Sequence, residues 1–300
     1  MTSKQTHCEI LLSGLCAAAA LADRSAAIGD VFRRLCVLGN IRKLPRAPRW
    51  SGVTDDCTPI ELSIAIGRRR ARIRFLIEAQ DDPASAMSYW KAGTRVSRSL
   101  IEDHGACAER LNAIANLFVP TDPMSFFAVW HSVEFGADGA PLCKIYLNPA
   151  ARGRRGSAEV VREALARLGF ASVVAPIMSM LSGNDIFTHL ALDLSDRPGA
   201  RVKIYMRHFN ARPADLDAKA AALGLGDGAE LQSVCRILCD GASKLSQRPV
   251  MTCVQLTDAD NGRPGRITLY VPLYPYAESD VIASDRIGAL LDGLDLPRDA

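Results

Sequence analysis

Several things are scarce in this sequence of 300 residues, and each scarcity removes a class of protein. The excess of one charge sign is small, 36 Lys and Arg against 33 Asp and Glu, too even for a chain that grips nucleic acid or an anionic membrane over a broad surface. No stretch approaches the eighteen or more unbroken apolar residues of a membrane span. The apolar run Ile10 to Ala22 has a poor basic leader, because Lys4 is offset by Glu9. Its Leu11, Leu15 and Ala18 recur at helical spacing, so it predicts an amphipathic first helix rather than a signal peptide. The nine cysteines are odd in number and lack paired C-x-x-C spacing, and Cys143 and Cys253 sit inside apolar runs. Reduced, mostly buried thiols in a cytoplasmic protein are expected. Cys235 and Cys239 stand four apart, but no second pair follows to complete a metal site. Phosphate-loop and dinucleotide glycine patterns are missing too.

What is present is enough apolar material, 48% of the chain, for a sizeable core, and a single domain over residues 1–300 is expected. Its organising feature is a set of four β-hairpin signals, each two period-two segments across a Gly-, Asp- or Arg-rich turn. The first pairs Pro59 to Ile66 with Ala71 to Glu78, across Gly67 and a run of arginines. The second pairs Phe126 to Phe135 with Leu142 to Leu147, across Gly136-Ala137-Asp138-Gly139. The third pairs Ile186 to Leu194 with Arg201 to Met206, and the fourth Val250 to Thr257 with Arg266 to Val271. Helical stretches such as Ala158 to Leu168 and Ala214 to Leu223 separate them, so the repeating unit is helix, strand, strand, helix. The fold class predicted is α+β: αββα units forming an antiparallel β-barrel with helices outside, since closure removes exposed strand edges.

Strand alternation sorts the side chains. Leu62, Ile64 and Ile66 form an apolar row beneath the helices and Glu61, Ser63 and Ala65 the opposite one. The same rule sends Ile145, Ile204 and Leu269 outward, and Arg74, Lys144, Tyr146, Arg201, Lys203, Tyr205 and Tyr270 inward. Cations converging in an interior are costly unless they receive an anion, and a diphosphate is the natural guest. Tyrosine rings would shield a carbocation left by a departing diphosphate and keep water from it. Glu61 suits an acceptor of a hydrogen bond from an indole N–H or phenol O–H, and His131, with His189 second, is the candidate to take up a proton. Each residue alone has a plainer reading: solvated surface for the cations, and for Glu61 a cross-hairpin pair with Arg72 or Arg74.

Together these segments resemble the dimethylallyltryptophan-synthase family of aromatic prenyltransferases, the αββα-barrel enzymes, over roughly Pro59 to Ile287. TPIELS is similar to the segment whose glutamate binds the indole nitrogen, which implies that role for Glu61. RFLIE, CKIYLNP and ARVKIY resemble strands whose cations bind diphosphate and whose tyrosines shield the cation. They imply diphosphate roles for Arg74, Lys144, Arg201 and Lys203 and shielding by Tyr146 and Tyr205. ITLYVPLYPYAESD implies shielding by Tyr270 and, more weakly, Tyr276. His131 aligns where some members carry a proton-accepting lysine, and Thr268 where a glutamine can occur. The family barrel has five αββα units, whereas after the fourth hairpin this chain shows only a helix, Ser284 to Leu294, before Pro297.

The implied function is transfer of a dimethylallyl or longer prenyl group from its diphosphate to an aromatic acceptor, an indole or tryptophan derivative, by electrophilic substitution. The other reading is a non-catalytic binder of isoprenoid diphosphates or prenylated aromatics. Asp55-Asp56 and Asp81-Asp82 lack the second half of a magnesium-holding motif, so no metal or other cofactor is expected. The expected partners are the two small-molecule substrates, with a homo-oligomer as one way to close an open barrel, and neither nucleic acid nor membrane.

Overall fold

A computed structural model of the protein describes residues 4–41, 51–67, 70–123, 125–226 and 229–296. The arginines Arg68 and Arg69 of the first hairpin turn and Pro297 lie outside the described residues. After a first helix, α1 (Lys4–Ala18), the elements follow as four αββα units. The first is α2 (Ser25–Leu38), β1 (Ile60–Ala65), β2 (Arg72–Glu78) and α3 (Ala86–His104), and the second α4 (Glu109–Ile114), β3 (Val129–Phe135), β4 (Leu142–Leu147) and α5 (Ser157–Arg167). The third is α6 (Val174–Ser179), β5 (Ile186–Asp193), β6 (Val202–His208) and α7 (Pro213–Ala222). The fourth is α8 (Glu230–Leu238), β7 (Val250–Leu256), β8 (Pro264–Tyr270) and α9 (Asp280–Gly293). Strand order follows chain order from β1 to β8. No fifth hairpin occurs among the described residues, and none of their helices is long and apolar enough to cross a membrane.

Two compact units divide these elements: residues up to 156 together with 192–196, and residues 157–191 together with 197–298. In the first, β1 to β4 form a continuous antiparallel ladder. Leu194 N–H donates to the Cys143 carbonyl, which brings the end of β5 alongside β4. One face of this ladder carries Ile73, Phe75, Ile77, Val133 and Ile145, all buried, and receives the helices. Phe32 of α2 meets Phe75 edge-on, ring centroids 5.2 Å apart.

Helix α3 starts in a capping box, the Ser85 and Ser88 side chains each accepting from the other's backbone N–H, and ends on Gly105 at φ 64°. It lies so close to β3 that a Cβ at Gly93 would stand 2.2 Å from Val129 Cγ1. Glycine is required there for lack of space, not for backbone freedom. The opposite face of the ladder carries Glu61, Ser63, Arg74, Trp130, Ser132, Lys144 and Tyr146.

In the second unit β6, β7 and β8 form an antiparallel ladder with the same division. Ile204, Met206, Val250, Thr252 and Val254 face the helices, while Lys203, Tyr205, Arg207, Gln255, Thr268 and Tyr270 occupy the other side. Helix α7 is fixed to the strands through Asp185, whose carboxylate accepts from Lys219 Nζ at 2.7 Å and lies 2.9 Å from His208 Nδ1. Helix α8 is preceded at its N-cap by Ala229, which offers no capping side chain. The buried Asp217 carboxylate of α7 takes that part, accepting from the backbone N–H groups of Leu231 and Gln232, both at 2.9 Å.

Candidate active site

On the polar face of the first unit, Glu61 and Arg74 interact across their hairpin. Arg74 Nη2 lies 3.4 Å from Glu61 Oε1, and Arg74 Nε donates to Ser63 Oγ at 3.0 Å. Burial raises the Glu61 pKa above the ordinary carboxyl value, and the Arg74 charge and hydrogen bond oppose that rise. Arg72, the other cross-hairpin partner considered, pairs instead with Glu134 at 2.6 Å.

Lys144 is 3% exposed, with its ammonium 3.5 Å from Asp193 Oδ1 and 6.0 Å from the centre of the Tyr146 ring. Asp193 was not singled out from sequence, although one carboxylate inside the apolar stretch LALDL is a signal that a buried cation stands near. Trp130 was passed over as well. It faces Tyr146 across the β3–β4 ladder, ring centroids 6.4 Å apart, and rests on Phe127 at 4.3 Å. Beside Trp130 on β2, the fully buried Glu78 accepts from Ser51 Oγ at 2.7 Å. Burial pushes its carboxyl up to about 7.

His131 is a correction. It pairs with Ile145, so it shares the helix-facing side and not the face of Lys144 and Tyr146. Its Nε2 lies 2.8 Å from Ser97 Oγ of α3, the ring is fully buried, and burial drops its pKa to about 3. Such a histidine is a packed core residue, and the role of proton acceptor is withdrawn from it.

In the second unit the Tyr205 ring contacts Tyr270 at 5.6 Å and His189 at 5.5 Å, the latter edge-on. His189 Nδ1 lies 2.9 Å from Thr188 Oγ1, and burial, then the Arg207 charge, drops its pKa to about 3. Lys203 is 9% exposed and lies across from Gln255; Arg201 is half-buried one residue before β6, in the same alternation. Thr268 shares this face, paired with Cys253, which on its other side pairs with Tyr205.

Tyr276 is the second correction. It lies beyond β8 in a buried cluster with Leu216, Cys235, Leu238 and Val250, and donates to the Arg248 carbonyl at 3.3 Å. That cluster includes Val250 and Leu269 of the helix-facing rows, so Tyr276 does not join Tyr205 and Tyr270. Among the described residues no group of three or more His, Cys, Asp or Glu is arranged to hold a metal ion.

Each unit therefore presents a sheet face where lysine or arginine alternates with aromatic rings, and the first adds a carboxylate. This chemistry suits an enzyme that holds a diphosphate while an aromatic ring is alkylated. Comparison with known proteins agrees: residues 32–297 match the family model described as tryptophan dimethylallyltransferase, and the chain belongs to that family of aromatic prenyltransferases.

Among solved structures, 6-dimethylallyltryptophan synthase from Micromonospora olivasterospora, in complex with DMASPP and Trp, is 30% identical with a TM-score of 0.91. Prenyltransferase PriB in its apo form is 32% identical with a TM-score of 0.88. Each match covers 100% of this chain and 86% of the other. The 5-dimethylallyltryptophan synthase from Streptomyces coelicolor, in complex with DMASPP and Trp, is 27% identical over 99% of this chain and 83% of the other, with a TM-score of 0.86. The αββα arrangement is thus the fold of this family.

Proposed function

We propose that residues 1–300 act as one catalytic domain that transfers a dimethylallyl group from its diphosphate to the indole ring of tryptophan. The observation that carries this is the Glu61–Arg74 pair, a carboxylate with a raised pKa beside a fixed guanidinium on the polar face. The relatives crystallised with DMASPP and Trp supply the substrate class.

In the proposed reaction the allylic C–O bond breaks heterolytically, both electrons leaving with diphosphate. Stabilisation of that departing charge is assigned to Arg74, Lys144, Arg201 and Lys203. Lys144 is paired with Asp193, and a diphosphate oxygen competes for its ammonium. Tyr146, Tyr205 and Tyr270 offer the allyl cation their π-faces and exclude water. The Glu61 carboxylate accepts the indole N–H and pushes electron density into the ring, whose π pair then forms the bond to the allyl carbon. The arenium proton passes to the released diphosphate. Because protein cations neutralise the leaving group, no divalent metal is needed. We place the enzyme in the cytoplasm, a reducing compartment that suits a sequence whose nine cysteines are odd in number and lack paired spacing.

The test is incubation of purified protein with dimethylallyl diphosphate and L-tryptophan, without added metal and with EDTA, read by mass spectrometry. The expected result is a product heavier than tryptophan by one dimethylallyl substitution, with kcat/KM lowered about 100-fold or more in Glu61→Gln. Absence of product with tryptophan and a panel of other indoles overturns the reading.

A further inference from the structure

On the helix-facing side of the first unit, α3 and α4 leave a cavity of about 270 Å³ against β3 and β4. Leu111, Val129 and Ile145 are buried and form its floor, while Ile101 and the Trp90 ring line it from half-buried positions. Apart from Ala115 the remaining lining is polar, and its charged members are two exposed side chains, Arg98 and Glu102. They stand one turn apart on α3, opposite in sign, yet neither forms an ion pair with the other or with any described residue. The order from Arg to Glu is the weaker orientation for such a pair, which leaves both charges available at the rim.

An apolar hollow with one cation and one anion at its mouth is complementary to a zwitterion that carries an apolar side chain. A simple carboxylate would meet Glu102 with like charge, and a simple amine would meet Arg98 in the same way. The α-carboxylate of a free amino acid can take the Arg98 guanidinium and its ammonium the Glu102 carboxylate, each as a charge-assisted hydrogen bond. The side chain then enters the cavity over Trp90, whose ring gives an aromatic guest a stacking surface. The volume lies just below the range of pockets for drug-sized ligands, which suits one amino acid side chain.

We propose that this cavity is a binding site for a free amino acid with a large apolar side chain, separate from the polar face that carries Glu61 and Arg74. Its floor residues Val129 and Ile145 are chain neighbours of Trp130, Lys144 and Tyr146, whose side chains lie on the opposite side of the same two strands. A guest therefore packs behind the residues assigned to catalysis. The proposal does not depend on the transferase reading.

L-phenylalanine is the probe, because it leaves the tryptophan fluorescence of the protein readable. Binding is followed by calorimetry and by the change in Trp90 emission, with Trp90→Phe as the assignment control. The expected result is saturable binding whose Kd rises about tenfold or more in Arg98→Ala and in Glu102→Gln. The methyl ester and the N-acetyl derivative of phenylalanine lose affinity to a similar degree, and Ala115→Phe, which fills the cavity, removes binding. Four results would overturn the proposal: no binding, a Kd unchanged in Arg98→Ala, equal affinity for the methyl ester, or loss of binding in Glu61→Gln.

Discussion

Lys144 and Asp193 form an ion pair at 3.5 Å in which the two side chains are 4% and 2% exposed. Removing one member of a buried pair leaves the other poorly solvated, so Asp193→Asn should destabilise the protein by roughly 2 kcal/mol. Urea unfolding measures the loss. Joint replacement, Lys144→Met with Asp193→Leu, should recover most of the stability while turnover stays low, because the cation assigned to diphosphate is gone.

Glu78 gives the protein a pH-dependent stability of unusual sign. Its carboxyl is raised from 4.5 to about 7, so between those values the folded chain holds a proton that the unfolded chain releases. The favourable contribution of that proton is fully present below about pH 4.5 and disappears as pH rises through 7, a loss of about 3 kcal/mol. Glu78→Gln should flatten this slope in unfolding curves recorded from pH 4.5 to 8, with the Ser51 hydrogen bond kept by the amide oxygen.

The raised pKa of Glu61 has a consequence for rate. Its carboxylate form is the better acceptor for an indole N–H, so kcat/KM should fall as pH drops through a value above the ordinary carboxyl pKa. In Glu61→Gln the remaining activity should lack that acid limb. A pH profile of both proteins decides it.

At Gly93 the prediction is steric. Ala at this position sets a methyl against Val129 Cγ1 and should cost about 1–3 kcal/mol by thermal or urea unfolding. Val129→Ala in the same chain should return part of that loss, since the two atoms in conflict are then one fewer.

The cap on α8 is a fourth position to test for stability. Asp217→Ala leaves the N–H groups of Leu231 and Gln232 without their acceptor and should cost about 1–2 kcal/mol, with Asp217→Asn in between.

The hairpins were readable from sequence because alternation is a local property: β4 runs over Leu142–Leu147 as expected, and the other strands differ from expectation by a few residues at their ends. The inward rows followed from the same parity and include Glu61, Arg74, Lys144, Tyr146, Lys203, Tyr205 and Tyr270. Side-chain chemistry and the family position both point to His131, but its strand partner Ile145 belongs to the outward row, a pairing that only the register reveals. Tyr276 lies past the end of β8, where alternation no longer says which way a side chain points. Asp193, Trp130 and Glu78 matter through partners on other strands, and such pairings are invisible until register is known. Helix α3 follows the first hairpin as the repeating unit requires, although its residues carry a weak signal of their own. The face it buries carries Tyr89, Val96 and Leu100 at helical spacing, but Ala92, Gly93, Ser97 and Ser99 between them are small residues that permit close packing and dilute the apolar stripe.

The alternation of each strand also separates two kinds of selection. A substitution at Ile145 is judged by how the core packs, whereas one at Lys144 or Tyr146, a single codon away, is judged by chemistry. Because the two rows point to opposite sides of the strands, a lineage can try new side chains on the reactive row, outside buried pairs such as Lys144–Asp193, while the packing of the core row stays in place. One scaffold can in this way drift among acceptors without first becoming a different protein.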